Sequence, residues 1–212
     1  PLLRNTTLSF TQVAPRGAGA FDFRLEEVGY FRALDGDAVL ESWTDPVTGE
    51  RVAPRNYRTP EALRLGPQGP GIAALPPGLE FRGALTVLAE LAGSVSFAED
   101  LYVRVPATPA RAATGAEPAR AARPERFLAS LGTYTGNAAA TQRADSAWVD
   151  CSFHYSTLNS VADWLGFGAQ GGTQSLRLAG VKRPHDDRGS IPGWLRERVM
   201  REHADFLDVP RC

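Results

Sequence analysis

Asp150, His154 and Tyr155 are the side chains of this sequence best suited to move a proton. In an extended strand Asp150, Ser152 and His154 share one face, so the carboxylate could orient the imidazole through a short bridge, as in a general base. Tyr155 falls on the other face. If the chain is an enzyme, these three are its acid/base candidates, and an isomerase, cyclase or lyase is the class they suit. The favoured account of this row is a solvent-facing polar face with a lone His, because no nucleophile or substrate group is evident beside it. There is no G-x-S-x-G elbow. His185-Asp186-Asp187 lies between Pro184 and Gly189, hence in a loop, where three adjacent side chains converge poorly on one ion; no metal site is expected. Gly166 to Gly172 (GFGAQGG) looks like a phosphate loop, but Thr173 to Val181 alternates like a strand where a dinucleotide site needs a helix, so no cofactor is expected. His203 sits in an Arg/Glu-rich stretch and reads as a surface residue.

Aromatic residues suggest a different chemistry. Trp43, Tyr57, Trp148 and Trp164 could line a concavity that holds a small, largely apolar molecule. Ordinary core packing is the competing account.

The elements that would position these residues are mostly strands. Leu8 to Val13, Phe21 to Val28, Val39 to Trp43, Arg51 to Tyr57, Val95 to Val105, Asp145 to Tyr155 and Thr173 to Val181 all show period-two or short apolar runs. Gly29 is expected to break the second of these, and Asp35-Gly36 to make a tight turn. Asp45 to Glu50 (DPVTGE) is turn chemistry inside a hairpin from Trp43 to Tyr57. Leu79 to Leu91 reads as helix or strand. Glu125 to Leu131 suits one or two helical turns, and Thr133 to Thr141 a polar turn. Ser190 to Leu207 is the clearest helix, with Ser190 as cap and Pro192 in the first turn. Residues 60–78 and 106–124, rich in Pro with Gly or Ala, are expected to be mobile loops. The sum is about eight short strands and a C-terminal helix in a single domain spanning 1–212. We expect a mainly β, antiparallel, β-barrel-like architecture of calycin or lipocalin type, because no βαβ alternation is present.

Composition narrows the classes. A chain of 212 residues, 43% hydrophobic and 22% charged, suits one globular domain. A net charge of -1 gives no field favouring nucleic acid. No apolar run reaches the roughly 20 residues of a membrane span. Lys182 is the single lysine among 23 Lys and Arg residues, a bias typical of GC-rich bacterial coding. Cys151 and Cys212 are the only cysteines; they permit one disulfide or two separate thiols. Nothing in the composition sets the oligomeric state.

Two motifs carry a resemblance. Leu40 to Val52 (LESWTDPVTGERV) is similar to a W-x-NP-x-TGE signature, with Asp45 where Asn is usual. Asp163 to Lys182 (DWLGFGAQGGTQSLRLAGVK), followed by a Pro-started helix and a terminal Pro, is similar to a second signature with Trp, an MG-x-x-x-G core and a closing G-x-K. There Asp163-Trp164-Leu165 replaces Pro-Trp-Met. Together, over most of the chain, they resemble an uncharacterised, mainly bacterial and fungal family, domain of unknown function 1838. The resemblance implies a periplasmic or extracellular protein, since members often carry a twin-arginine leader; a cytoplasmic one is the alternative. It implies no activity and maps no catalytic residue. The expected role is a binder of a small apolar molecule, with an enzyme in the same cavity and a structural or interaction domain as alternatives.

Overall fold

Period-two alternation decides the fold, because a strand with one apolar face must bury that face against another layer. The computed structural model describes residues 3–18, 20–46, 48–66, 69–71, 78–110, 122–143, 149–160, 172–184 and 187–208. Arg4–Gly17 (β1) and Ala20–Arg32 (β2) form a long hairpin that sets Leu8 opposite Val28 and Ser9 opposite Glu27. Trp43–Thr44 (β3) and Arg51–Val52 (β4) make a separate ribbon. Its turn closes as expected, with the Gly49 amide donating to the Asp45 carbonyl at 2.8 Å. Tyr57–Gly66 (β5) pairs with β2, and Gly69–Gly71 (β6) pairs with β5, which completes the sheet β1-β2-β5-β6.

The second sheet is a meander. Glu80–Leu91 (β7), Ser94–Val105 (β8), Arg126–Asn137 (β9), Cys151–Ser160 (β10) and Thr173–Lys182 (β11) lie in the order β11-β10-β9-β8-β7, every pair antiparallel. A short helix, Ala138–Gln142 (α1), follows β9 and is capped by Asn137, whose side chain accepts from the Ala140 amide at 2.9 Å. β6 lies against β7, where the two sheets approach each other. The fold is therefore mainly β and antiparallel, and its ladders close no barrel among the described residues.

The apolar core sits outside this pair of sheets. Val28 and Tyr30 on one face of the first sheet are fully buried against Leu195 and Val199 of Gly193–Glu202 (α2) and Phe206 of the following 3-10 helix Ala204–Asp208. Leu8 and Phe10 extend that face, with the rings of Phe10 and Phe206 5.0 Å apart. Two arginines clamp the helix down. Arg32 is buried, lies 4.4 Å from the Trp194 ring centre and bonds Thr6 and Asp37. Arg58 joins Glu26 of β2 to Asp205 and lies over the Phe206 ring. The guanidinium of Arg58 holds the Asp205 carboxyl below its ordinary range.

Several sequence expectations need correction. Gly29 does not end β2; it gives the strand room for a ring, described below. Residues 60–66, expected in a loop, belong to β5. Among the described residues β6 flanks β5 only from Arg64 onward, so at Pro60 one side of the strand has no described ladder for the missing N–H to break. Residues 126–137, read as helical turns and a polar turn, are strand β9. Its Ser, Thr and Gly residues face partners on both sides, and that pairing overrides local propensity. Leu79 to Leu91 resolves to strand. Ser190 does not cap α2; Pro192 holds that position, while the Ser190 hydroxyl donates to the Asp187 carbonyl. The strands number eleven among the described residues, several far longer than expected. In the 106–124 excursion, Thr108 and Arg123 form an antiparallel bridge; residues 111–121 lie outside the described set.

Two stability predictions follow from this packing. Phe206→Ala should lower unfolding free energy by about 3–5 kcal/mol, read by urea denaturation, because it empties a fully buried site. The β7–β8 turn holds Ala92 at φ 51 and Gly93 at φ 78, a two-residue turn in which Ala is strained. Ala92→Asn should therefore stabilise by roughly 0.5–1 kcal/mol in the same measurement.

Candidate functional site

The two sheets present amphipathic faces to each other. On the first, alternation places Asn5, Thr7, Ser9 and Thr11 of β1 beside Glu27 of β2 and Tyr57 and Thr59 of β5. On the second, cross-strand register aligns Leu85, Glu99, Gly132, Tyr155 and Leu178 in one row. Val87, Phe97, Tyr134, Phe153 and Gly180 make the next, and Val95, Gly136, Cys151 and Lys182 a third. The contact that joins the faces is Lys182 Nζ to Thr11 Oγ1, at 3.4 Å.

Two carboxyl groups are held in this interior by phenols. Tyr57 donates to Glu27 at 3.0 Å and accepts from the Asn5 side-chain amide at 3.1 Å. Tyr134 donates to Glu99 at 3.0 Å. Burial, reinforced by Glu99, pushes the Tyr134 phenol far above its ordinary value, so it stays a donor. Burial also raises the Cys151 thiol, against the opposing pull of Lys182. It lowers the Lys182 ammonium, while Cys151, Glu27 and Glu99 favour the charged form. Among the described residues the contact to Thr11 is the one hydrogen bond Lys182 makes, and its Nζ lies 5.6 Å from the Phe153 ring centre. Unlike Lys182, the inward atoms Asn5 Oδ1, Ser130 Oγ, Thr157 Oγ1 and Asn159 Oδ1 have no hydrogen-bond partner among the described residues. Buried polar atoms are usually satisfied, so each exception calls for an explanation.

Glycine makes the space for the rings. A Cβ on Gly29 would fall 2.2 Å from Tyr57 Cζ, and one on Gly180 would fall 2.4 Å from Phe153 Cε1. Each is the direct cross-strand partner of the aromatic residue that lies over it. The missing side chain lets the ring fold flat onto the neighbouring strand.

The sequence-derived candidates separate. Tyr57 and Tyr155 are in the interior. His154 and Asp150 are exposed on the opposite face of the second sheet, and Asp150 pairs with Arg183 at 3.2 Å. Asp150 and His154 thus do not share a face with Tyr155. Trp43 is half-buried in the β3–β4 ribbon, across from Val52. Trp148, Trp164, residues 166–171 of the glycine run, His185, Asp186 and Cys212 lie outside the described residues; Cys151 is a free thiol. Among the described residues no group of three His, Cys, Asp or Glu side chains could hold a metal, and no helix is long and apolar enough to cross a membrane. A shallow cleft of about 480 Å³ on the outer face of the second sheet, edged by Arg82, Asp100, Tyr102 and Ser156, uses none of the interior carboxyl groups.

Sequence reasoning missed Glu27, Glu99, Tyr134 and Lys182. A signal for them was present. In Val95, Phe97, Glu99, Leu101, Val103 one ionisable residue interrupts the inward row of a period-two strand; Glu27 does the same after Leu25 in β2, and Lys182 does so at the end of the β11 row. No family model, curated protein or solved structure matches the chain.

The close approach of Tyr57 to Gly29 makes a direct prediction. Gly29→Ala should cost about 1–3 kcal/mol by displacing the ring from Glu27. Combined with Tyr57→Ala the loss should be clearly less than additive, with a coupling of roughly 1–2 kcal/mol in a double-mutant cycle.

Proposed function

We propose that the two sheets enclose a β-barrel-like, lipocalin-like interior that binds a small, largely apolar molecule with a polar end. The observation that carries this reading is the inward cluster of Lys182, Glu27 and Glu99 amid aromatic and aliphatic side chains. A space meant only for packing would be cheaper to fill with apolar side chains, since buried charges cost several kcal/mol each in desolvation. Phe97, Leu101, Phe153, Leu176 and Leu178 would hold the apolar body. Lys182 and the unpartnered hydroxyl groups of Ser130 and Thr157 would meet polar groups. The β6–β7 approach and the Lys182–Thr11 contact support closure of the sheets around such a ligand. Membership of the domain of unknown function 1838 family, and export with it, rest on the two sequence motifs and add no activity to this reading.

An enzyme of isomerase, cyclase or lyase type in the same interior is the second reading. It is favoured by the Glu99–Tyr134 hydrogen bond close to Lys182, an acid/base set that would replace Asp150 and His154.

Native mass spectrometry of the protein from its own host tests the first reading. An added mass that survives gentle ionisation and leaves on denaturation is the expected result. A bare chain that also fails to retain added decanol would overturn it.

A further inference from the structure

We propose that Lys182 captures a carbonyl-bearing ligand, an aldehyde or ketone, as a reversible imine in the space between the two sheets; this rests on the binding reading above. Three observations converge on it. Lys182 is the only lysine, while every other basic position of Lys or Arg type is arginine. A coding bias that prefers arginine would have replaced a lysine that served only as a surface charge. An amine that must lose its proton and react cannot be replaced, because arginine stays charged and is no nucleophile. The second observation is position. Lys182 lies on the inward face of β11, cross-strand from Cys151, with one long hydrogen bond to Thr11 and no carboxylate oxygen within 4.0 Å among the described residues. Its nitrogen is thus left to contact whatever enters.

The third observation is the charge around it. Glu27 from β2 and Glu99 from β8 act on Lys182 through space; Cys151 and Glu90 share its cross-strand row, Tyr134 and Tyr155 stand in the next two, and Tyr57 bonds Glu27 on the facing sheet. A carboxylate ligand would be repelled by the two glutamates. A neutral carbonyl would not, and the iminium formed from it would be a fixed cation facing them. Desolvation moves the amine's titration down from its ordinary value, the direction a nucleophilic lysine needs. In the step itself, the amine lone pair bonds to the carbonyl carbon and the oxygen takes up protons and departs as water. The product is a protonated C=N bond. One proton is gained overall and nothing is oxidised or reduced.

The test is reductive trapping. The folded protein is incubated at neutral pH with decanal and cyanoborohydride, and adducts are mapped by peptide mass spectrometry. Decyl addition at Lys182 is expected, at least several-fold faster than in the urea-unfolded chain and slowed by excess decanol. Lys182→Gln and Lys182→Arg should lose this adduct, with circular dichroism confirming the fold. The folded-against-unfolded comparison needs no variant. Labelling of Lys182 no faster in the folded state would overturn the imine. If decanol is still retained in that case, the binding reading stands without it; if decanol is not retained, both fall.

Discussion

The packing of helix α2 on one face of the first sheet sets the rest of the structure. Leu8, Phe10, Val28 and Tyr30 form a continuous apolar face, and Leu195, Val199 and Phe206 seal it. Because strand side chains alternate, committing that face to the helix commits the other to the second sheet. That other face carries Thr7, Ser9, Thr11 and Glu27. The hydrophobic core of this protein therefore lies between sheet and helix, and the space between the sheets is amphipathic. This arrangement inverts the usual sandwich, in which the two inner faces form the core. It is also why the inter-sheet space reads as a site.

Arginine and lysine divide between the two environments. Arg32 and Arg58 fasten the helix to the sheet through planar contacts with Trp194 and Phe206 and through paired carboxylates. These are uses in which a permanently charged, flat group is an advantage. The inward rows of the described strands near the carboxyl pair hold the lysine instead. Glu27 and Glu99 are each fixed by a phenol from an adjacent or nearby strand, so the cluster is positioned by strands of both sheets. The Arg58–Asp205 pair is exposed and contributes at most modestly to stability. With the Asp205 carboxyl lowered by Arg58, what it adds is present above the ordinary carboxylate range and lost as pH falls through the lowered value.

Glycine and aromatic residues act as a single device on both sheets. Gly29 with Tyr57, and Gly180 with Phe153, occupy directly opposed positions, so each ring covers backbone that a side chain would otherwise occupy. A glycine within a strand normally weakens it. Here the ring laid across it restores buried area and points the Tyr57 hydroxyl at Glu27. The orientation of the site and the integrity of the strand thus come from the same pair.

By itself the sequence determined the mainly β, antiparallel character, the Asp45–Gly49 turn, the clean alternation of β8 and β10, and the position of the C-terminal helix. Each is a local property: period two, turn residues, or a Pro-started apolar stripe. Alternation along β10 also separated Tyr155 from Asp150 and His154, although only the structure shows which face is solvated. Tertiary structure alone decided that Gly29 continues a strand, that residues 126–137 pair on both sides, and that Pro60 sits in β5, because each depends on a partner distant in sequence. It also decided the candidate site. Glu27, Tyr57, Glu99, Tyr134 and Lys182 are spread over 156 positions of chain, from 27 to 182, and converge only through strand register. No short motif can encode that convergence. One ionisable residue in an otherwise apolar row is the trace it leaves in the sequence.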